Sequence, residues 1–456
     1  MIIVIFGVFK MNLIYGIKDK PGFGKTLLFA LQQLLAIMAA TIAVPAIVGN
    51  GLTASAALFG AGVGTIVYLL FTKSSSPVFL GSSFAFIGSM FSAFGGAASI
   101  SVGYWGLIIG AAMAGLVYII IAAVVKKFGV NWIDRLMPPV IIGPTVSIIG
   151  LSLSSNAVGD LMKSSVEGGS TYVAIICGIV TLAVTMLCST YGKKFGRLIP
   201  FIIGILAGYL TASIFALIGH LAKNPSLIVI NYNALTSLNF KSLSGYISLP
   251  KFAIILGGAD GLKGITPSYL LTIFSAYVPV AFVVFAEHLA DHKNLSAIIG
   301  TDLLKEPGLS RTLLGDGVGT FVSTIFGGCP NTTYGESIGC VAITRNASTV
   351  SIWGCAILCI LFSLISPIVA FLETIPNCVM GGVCIALYGF IAVSGFKMFQ
   401  KVDLNKNRNL FVASVIFITG VGGMVVNFGA VEIRTVACAL ILGILTNLML
   451  SGEKDE

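Results

Sequence analysis

Gly327-Gly-Cys-Pro-Asn-Thr-Thr-Tyr-Gly-Glu-Ser-Ile-Gly339 is the stretch that decides the fold. It lies among apolar runs, yet it carries a proline, an asparagine, two threonines and a glutamate. Pro330 removes a backbone donor, and the β-branched pair Thr332-Thr333 favours extended backbone. No lipid-facing helix suits such a sequence. Irregular backbone at membrane depth survives only where it is buried in protein or lines a cavity. An earlier stretch, Pro77-Val-Phe-Leu-Gly-Ser-Ser-Phe-Ala-Phe-Ile-Gly88, has the same character. Ser82-Ser83-Phe84 matches Thr332-Thr333-Tyr334 in type, and Ile-Gly follows each, at 87–88 and 338–339. Farther on, Pro138 precedes Gly143 and Pro376 precedes Gly381 by the same interval.

Around these stretches the chain is built for a bilayer. Of its 456 residues, 57% are hydrophobic and 9% charged, and the mean hydropathy is +1.02. Soluble domains carry about 25% charged residues, and a soluble protein this apolar could not cover its surface. A membrane span needs roughly 20 apolar residues. Apolar segments fall at 26–48, 54–72, 78–97, 104–125, 138–156, 171–190, 198–219, 268–290, 312–327, 330–343, 349–371, 376–395, 409–427 and 431–450, fourteen in all. The two broken stretches are the third and tenth of these, and the Pro–Gly echoes fall in the fifth and twelfth. A period of seven is odd, so the two halves insert in opposite orientations. Paired, interrupted segments in corresponding positions point to a transporter's binding site. The expected fold is an all-α polytopic membrane protein with fourteen transmembrane segments in a 7+7 inverted repeat.

Net charge is +9, but the bases form no single nucleic-acid patch. They sit between apolar runs as Lys18/Lys20/Lys25, Lys126/Lys127/Arg135, Lys193/Lys194/Arg197 and Lys397/Lys401/Lys406/Arg408. With both termini cytoplasmic, only Lys163, Lys223, Lys241, Lys251, Lys263 and Arg434 fall outside, as the positive-inside rule asks. The polar stretch at about 220–267 is then external and links the halves. No cleavable signal is evident, the first ten residues are too short to span, and Met11 is an alternative start. The nine cysteines read as small buried hydrophobes.

Most of the 17 acids sit in loops or at segment ends. Glu336, in the broken tenth segment, and Glu287, near the cytoplasmic end of the eighth, do not. An ionisable group at membrane depth costs several kcal/mol and usually faces a cavity with a task. An ionised carboxylate only accepts hydrogen bonds. Two of them beside free backbone N–H groups suit a neutral ligand that alternates N–H and C=O, such as uracil. The same carboxylates can take up a proton, so proton coupling needs no cofactor, and none is expected. Asp291 lies one helical turn beyond Glu287 on the same face, as a second proton station or a solvated helix end. His288 and His292 are either interfacial or near the ligand's network, and His220 is structural. Glu287-His-Leu-Ala-Asp-His292 lacks the metalloprotease spacing, and no metal is expected. Gly22-Phe-Gly24-Lys25-Thr26 is no phosphate loop, because Asp19 stands where glycine is needed.

Several stretches now carry a resemblance. Leu80-Gly-Ser-Ser-Phe-Ala-Phe86, Ala286-Glu-His288, Asp302-Leu-Leu-Lys-Glu-Pro-Gly-Leu309, Pro330-Asn-Thr-Thr-Tyr-Gly-Glu336, Gly339-Cys-Val-Ala-Ile-Thr-Arg345 and Met380-Gly-Gly382 resemble the uracil/xanthine permease family (nucleobase:cation symporter-2, or nucleobase–ascorbate transporters), in its uracil permease branch. The resemblance implies a core domain from segments 1–4 (26–126) and 8–11 (268–371), and a gate domain from segments 5–7 (127–220) and 12–14 (372–450). Residues 1–25 and 451–456 are the cytoplasmic ends, and 221–267 the external linker. It also implies short paired strands in segments 3 and 10. Glu287 and Glu336 would bind the base, and the backbone amides of Phe84 and Gly335 its carbonyl oxygens. Ala40 and Tyr334 would line the pocket, and Tyr388 of the gate domain would face it. Glu287, Glu336, Asp291 and His292 are the proton-coupling candidates.

Three departures stand out. Asp291 holds a place where some relatives have histidine, Ser337 follows Glu336 where asparagine is common, and Gln33 takes a position that is sometimes histidine. Glutamate at 336 suits the uracil-type branch. The expectation is a uracil–proton symporter in the cell membrane, with sodium coupling and a homodimer through the gate domains both open. The alternatives are a xanthine, urate or guanine carrier, and an anion exchanger of the same architecture. An anion site asks for a base at the broken segment, where this chain is acidic. A membrane enzyme has no nucleophile–base set to support it.

Overall fold

The computed structural model describes residues 13–451, apart from 131, 133–137, 194–195, 198, 401 and 429–430. Residues 1–12 with Met11, the tail 452–456, and Arg135, Lys194 and Lys401 lie outside the described residues. The first half runs α1 (Phe23–Val48), α2 (Ala54–Phe71), β1 (Leu80–Ser82), α3 (Ile87–Gly95), α4 (Ile100–Phe128), α5 (Pro139–Ser152), α6 (Ser154–Leu161), α7 (Thr171–Tyr191) and α8 (Pro200–Leu221). A linker with the helix α9 (Ala253–Lys263) follows. The second half runs α10 (Pro267–Ile299), α11 (Leu309–Gly327), β2 (Asn331–Thr333), α12 (Gly335–Thr344), α13 (Thr349–Leu364), α14 (Ser366–Glu373), α15 (Asn377–Phe399), α16 (Asn407–Val421), β3 (Val426–Phe428), β4 (Val431–Ile433) and α17 (Thr435–Met449).

Helix is what an apolar chain must form in lipid, because each backbone group then finds its partner within the segment. Among the described residues, eight stretches are long and apolar enough to cross a membrane: α1, α2, α4, α5 with α6, α7, α8, α10 and α15. The helices α13, α16 and α17 are apolar but shorter. Side-chain caps open several of them. The hydroxyl of Thr53 accepts from Ala56 N–H, that of Ser99 from Val102 N–H, and that of Thr266 from Tyr269 N–H.

Close helix crossings are made by glycines, since lipid supplies little hydrophobic drive between helices. A Cβ on Gly60 of α2 would stand 2.6 Å from Ser323 O of α11, and one on Gly64 would stand 2.9 Å from Gly319 O. From the other side, a Cβ on Gly327 would meet Ala56 O at 2.8 Å. The helix α4 reaches α11 in the same way, through Gly115 over Gly317 O at 2.7 Å. A second group of crossings joins α5, α7 and α15, with Gly143 against Gly395 O and Gly178 against Cys378 O.

Both polar stretches break their helices. β1 pairs antiparallel with β2, Leu80 opposite Thr333, Gly81 opposite Thr332 and Ser82 opposite Asn331. Three residues a side leave ladder ends to satisfy, and side chains do it. Thr65 Oγ1 donates to Leu80 O at 3.1 Å and accepts from Leu80 N–H at 3.0 Å. Thr320 Oγ1 donates to Asn331 O at 2.7 Å, and Tyr334 Oη donates to Ser82 O at 2.7 Å. Gly81 is required here, because a side chain would run into the Tyr334 ring. The antiparallel pair β3–β4 joins α16 to α17, where the sequence pattern reads only the ends of two apolar segments.

Candidate ligand site

β1 is followed by the nine-residue helix α3, and β2 by the ten-residue helix α12. Both therefore start near the strand pair, with their first N–H groups unpaired within the helix. The N-terminal partial charge of a helix favours electron-rich groups there. Beside this junction lies a cavity of about 350 Å³, a size suited to a small molecule. Glu287, Asp291, Glu336, Gly335, Tyr334 and Phe84 all line it. Helices α5, α8 and α15 also line it, through Val146, Phe201, Leu387 and Ser394 among others, as do Arg197 and Met398.

The two acids of α10 face the cavity because they are four residues apart. Thr333 Oγ1 donates to Asp291 Oδ2 at 2.7 Å, tying α10 to β2. Glu336 stands in the first turn of α12. Neither the Phe84 nor the Gly335 backbone N–H has a hydrogen-bond partner among the described residues. Gly335 has open space where a Cβ would stand. Gln33 of α1 donates to Ser337 O at 3.2 Å and also to the Ser337 hydroxyl, which accepts from Phe79 N–H at 2.9 Å. So Gln33 and Ser337 bond to each other and hold α12 against α1.

Three expected residues lie elsewhere. Ala40 is buried and lines no part of the cavity, and Ala36, one turn earlier, does. Tyr388 packs edge-on against Phe84, with ring centroids 5.5 Å apart, rather than lining the cavity. His292 is 1% exposed and points away: Tyr68 Oη lies 2.7 Å from its Nε2, and its Nδ1 donates to His288 O at 2.8 Å. A step of 100° per residue sends positions 287 and 291 to one face of α10 and 288 and 292 to another.

Sequence reasoning passed over Asp316. It is fully buried in α11, with Oδ2 2.7 Å from His288 Nδ1. His288 Nε2 lies 3.0 Å from Thr312 Oγ1, and its ring stacks on His292 at 4.0 Å. The signal was there: Asp316 is an acid inside an apolar segment, the same criterion that singles out Glu336. Among the described residues no group of His, Cys, Asp and Glu has the arrangement to hold a metal ion.

A bundle of apolar helices, with two helices broken at a paired-strand junction beside a carboxylate-lined cavity, defines a polytopic membrane transporter rather than an enzyme. The sequence model of the Permease family matches residues 24–429, and the chain belongs to that family, the uracil/xanthine permeases. It is 38% identical to the uracil permease of Bacillus subtilis (strain 168), over 98% of this chain and 97% of that protein. It is 37% identical to the uracil permease of Escherichia coli (strain K12), over 95% and 93%. Among solved structures, the transmembrane domain of a cyanobacterium bicarbonate transporter, BicA, aligns with a TM-score of 0.61 at 15% identity, covering 95% of this chain and all of that one. The murine anion transporter Slc26a9 in its inward-facing state aligns with a TM-score of 0.65 at 11% identity, covering 95% and 69%. These two likenesses concern the fold alone.

Proposed function

We propose that this chain imports uracil across the cell membrane in symport with protons. The observation that carries the reading is one cavity presenting two kinds of group. Glu287 and Glu336 offer acceptors for ring N–H, while the unpaired N–H groups of Phe84 and Gly335 offer donors for ring carbonyls. Relatives named uracil permeases match nearly end to end. The carboxylates that accept from the ligand are also the groups that load the proton, with Asp291 as the third acid in reach. An anion exchanger fits less well, because among the described residues three carboxylates and one base, Arg197, line the cavity.

In this reading the chain has fourteen spans in a 7+7 inverted repeat with both termini cytoplasmic. Residues 26–126 and 268–371 form the core domain, which carries the acids. Residues 127–220 and 372–450 form the gate domain, which supplies the facing wall. The cavity end near Arg197 and Met398 is cytoplasmic, and the Phe84–Tyr388 contact shuts the external side. Membrane vesicles given an inward proton gradient should accumulate labelled uracil and lose it on adding a protonophore. Accumulation that ignores the gradient but follows sodium overturns the proton assignment. Competition by xanthine or guanine as strong as by uracil overturns the substrate.

A further inference from the structure

Ahead of α1, residues 13–20 run beside the turn that joins α12 to α13. Ile14 N–H donates to Arg345 O at 2.8 Å, and Ala347 N–H donates to Tyr15 O at 2.9 Å. Ile17 O accepts twice from Thr349, from N–H at 3.1 Å and from Oγ1 at 3.1 Å. The Ser348 hydroxyl, fully buried, donates to Asp19 O at 2.6 Å. Leu13 and Ile17 pack against the apolar cluster that contains Ile338 and Val341 of α12 and Leu295 and Ile299 of α10. Tyr15 fastens the same segment to α1, since Lys25 Nζ donates to its Oη at 3.1 Å and its ring meets Phe29 edge-on.

The helix α12 needs such a support. It has only ten residues, begins at the cavity and ends at Arg345 in the left-handed conformation, φ 55°. A non-glycine residue stays there only when its surroundings over-determine it. A helix this short has little stability of its own, so its position is set by what grips its two ends. Gln33 grips the first turn through Ser337, and residues 13–20 grip the last. This segment also lies before residue 24, where the family match begins.

We propose that residues 13–20 are a positioning strap, which sets ligand affinity by holding Glu336 and the Gly335 N–H in place without touching the ligand. The inference rests on the reading of Glu336 given above. The test uses the full-length protein in lipid nanodiscs, measuring equilibrium binding of labelled uracil and thermal unfolding without it. Ser348→Ala removes one strap bond and should weaken binding about fivefold, as for the loss of one hydrogen bond. Ile17→Asp should weaken it further, and Ser348→Thr, which keeps the hydroxyl, should restore it. A merely structural strap would lower the unfolding temperature and leave the Kd within twofold, and that result overturns the proposal. Should Ile17→Asp fail to fold, the Ser348 pair decides alone. If Glu336→Gln binds as the wild type does, the site reading falls and the strap with it. If Glu336→Gln loses binding while Ser348→Ala keeps it, the strap alone falls.

Discussion

Glu336→Gln tests the core of the proposed site with little change of shape. The side chain sits in the first turn of α12, beside the unpaired Gly335 N–H and on the cavity wall. Glutamine keeps the size and one acceptor oxygen. It replaces the other oxygen with an NH₂, which meets a ligand N–H donor to donor. A hydrogen bond to a charged group contributes about 1.5–3 kcal/mol. At 1.4 kcal/mol per decade that is about 10- to 150-fold in Kd. The donor clash places the expectation in the upper half of that range. Equilibrium binding of labelled uracil to purified protein reads it directly, with unliganded thermal unfolding as the control for folding. A folded Glu336→Gln protein that binds uracil within threefold of the wild type would refute the reasoning, because the carboxylate would then not be the acceptor.

Two further outcomes follow from the geometry. Gly335→Val should fold normally, since nothing lies within 4 Å of the point where its Cβ would stand, yet its side chain would occupy ligand space; uptake should be lost while the unfolding temperature stays near the wild-type value. Asp316→Ala should destabilise the protein by about 1–3 kcal/mol, as expected for leaving a buried polar group unsatisfied, because His288 Nδ1 then loses a hydrogen-bond partner at 2.7 Å where both side chains are sealed from solvent; a chemical-denaturation curve unchanged from the wild type would count against a structural role for the pair.

The two breaks were legible in the sequence because their chemistry is local, whereas the pairing of the broken stretches as strands was implied only by the family resemblance. Pro330, Thr332 and Thr333 are wrong for a lipid-facing helix wherever the rest of the chain goes; the echo at 82–84 marks the second break, but the strand that pairs is Leu80–Ser82. Glu287 and Glu336 were legible for a similar reason: a carboxylate in an apolar segment is expensive anywhere except beside a cavity or a partner. Asp316 met the same criterion and was missed, since position along a segment does not tell a cavity acid from one held by a buried histidine. Asp291 was left between two roles, and the structure puts it on the cavity wall, held by Thr333.

What the sequence by itself determined is the class of protein, the two breaks and the acids inside apolar segments, because composition and short-range spacing carry the transfer energies that decide those matters. What only the tertiary structure decided is the direction each side chain takes. On α10, neighbours in sequence part company: Glu287 and Asp291 turn to the cavity, while His288 and His292 turn to Asp316 and Tyr68. Ala36 rather than Ala40 reaches the cavity, and Gln33 finds Ser337 across 304 positions of sequence. These outcomes depend on how each helix is rotated about its axis and how deep it sits. Rotation and depth are set by the glycine crossings and the buried polar bonds between helices, and no single segment contains that information.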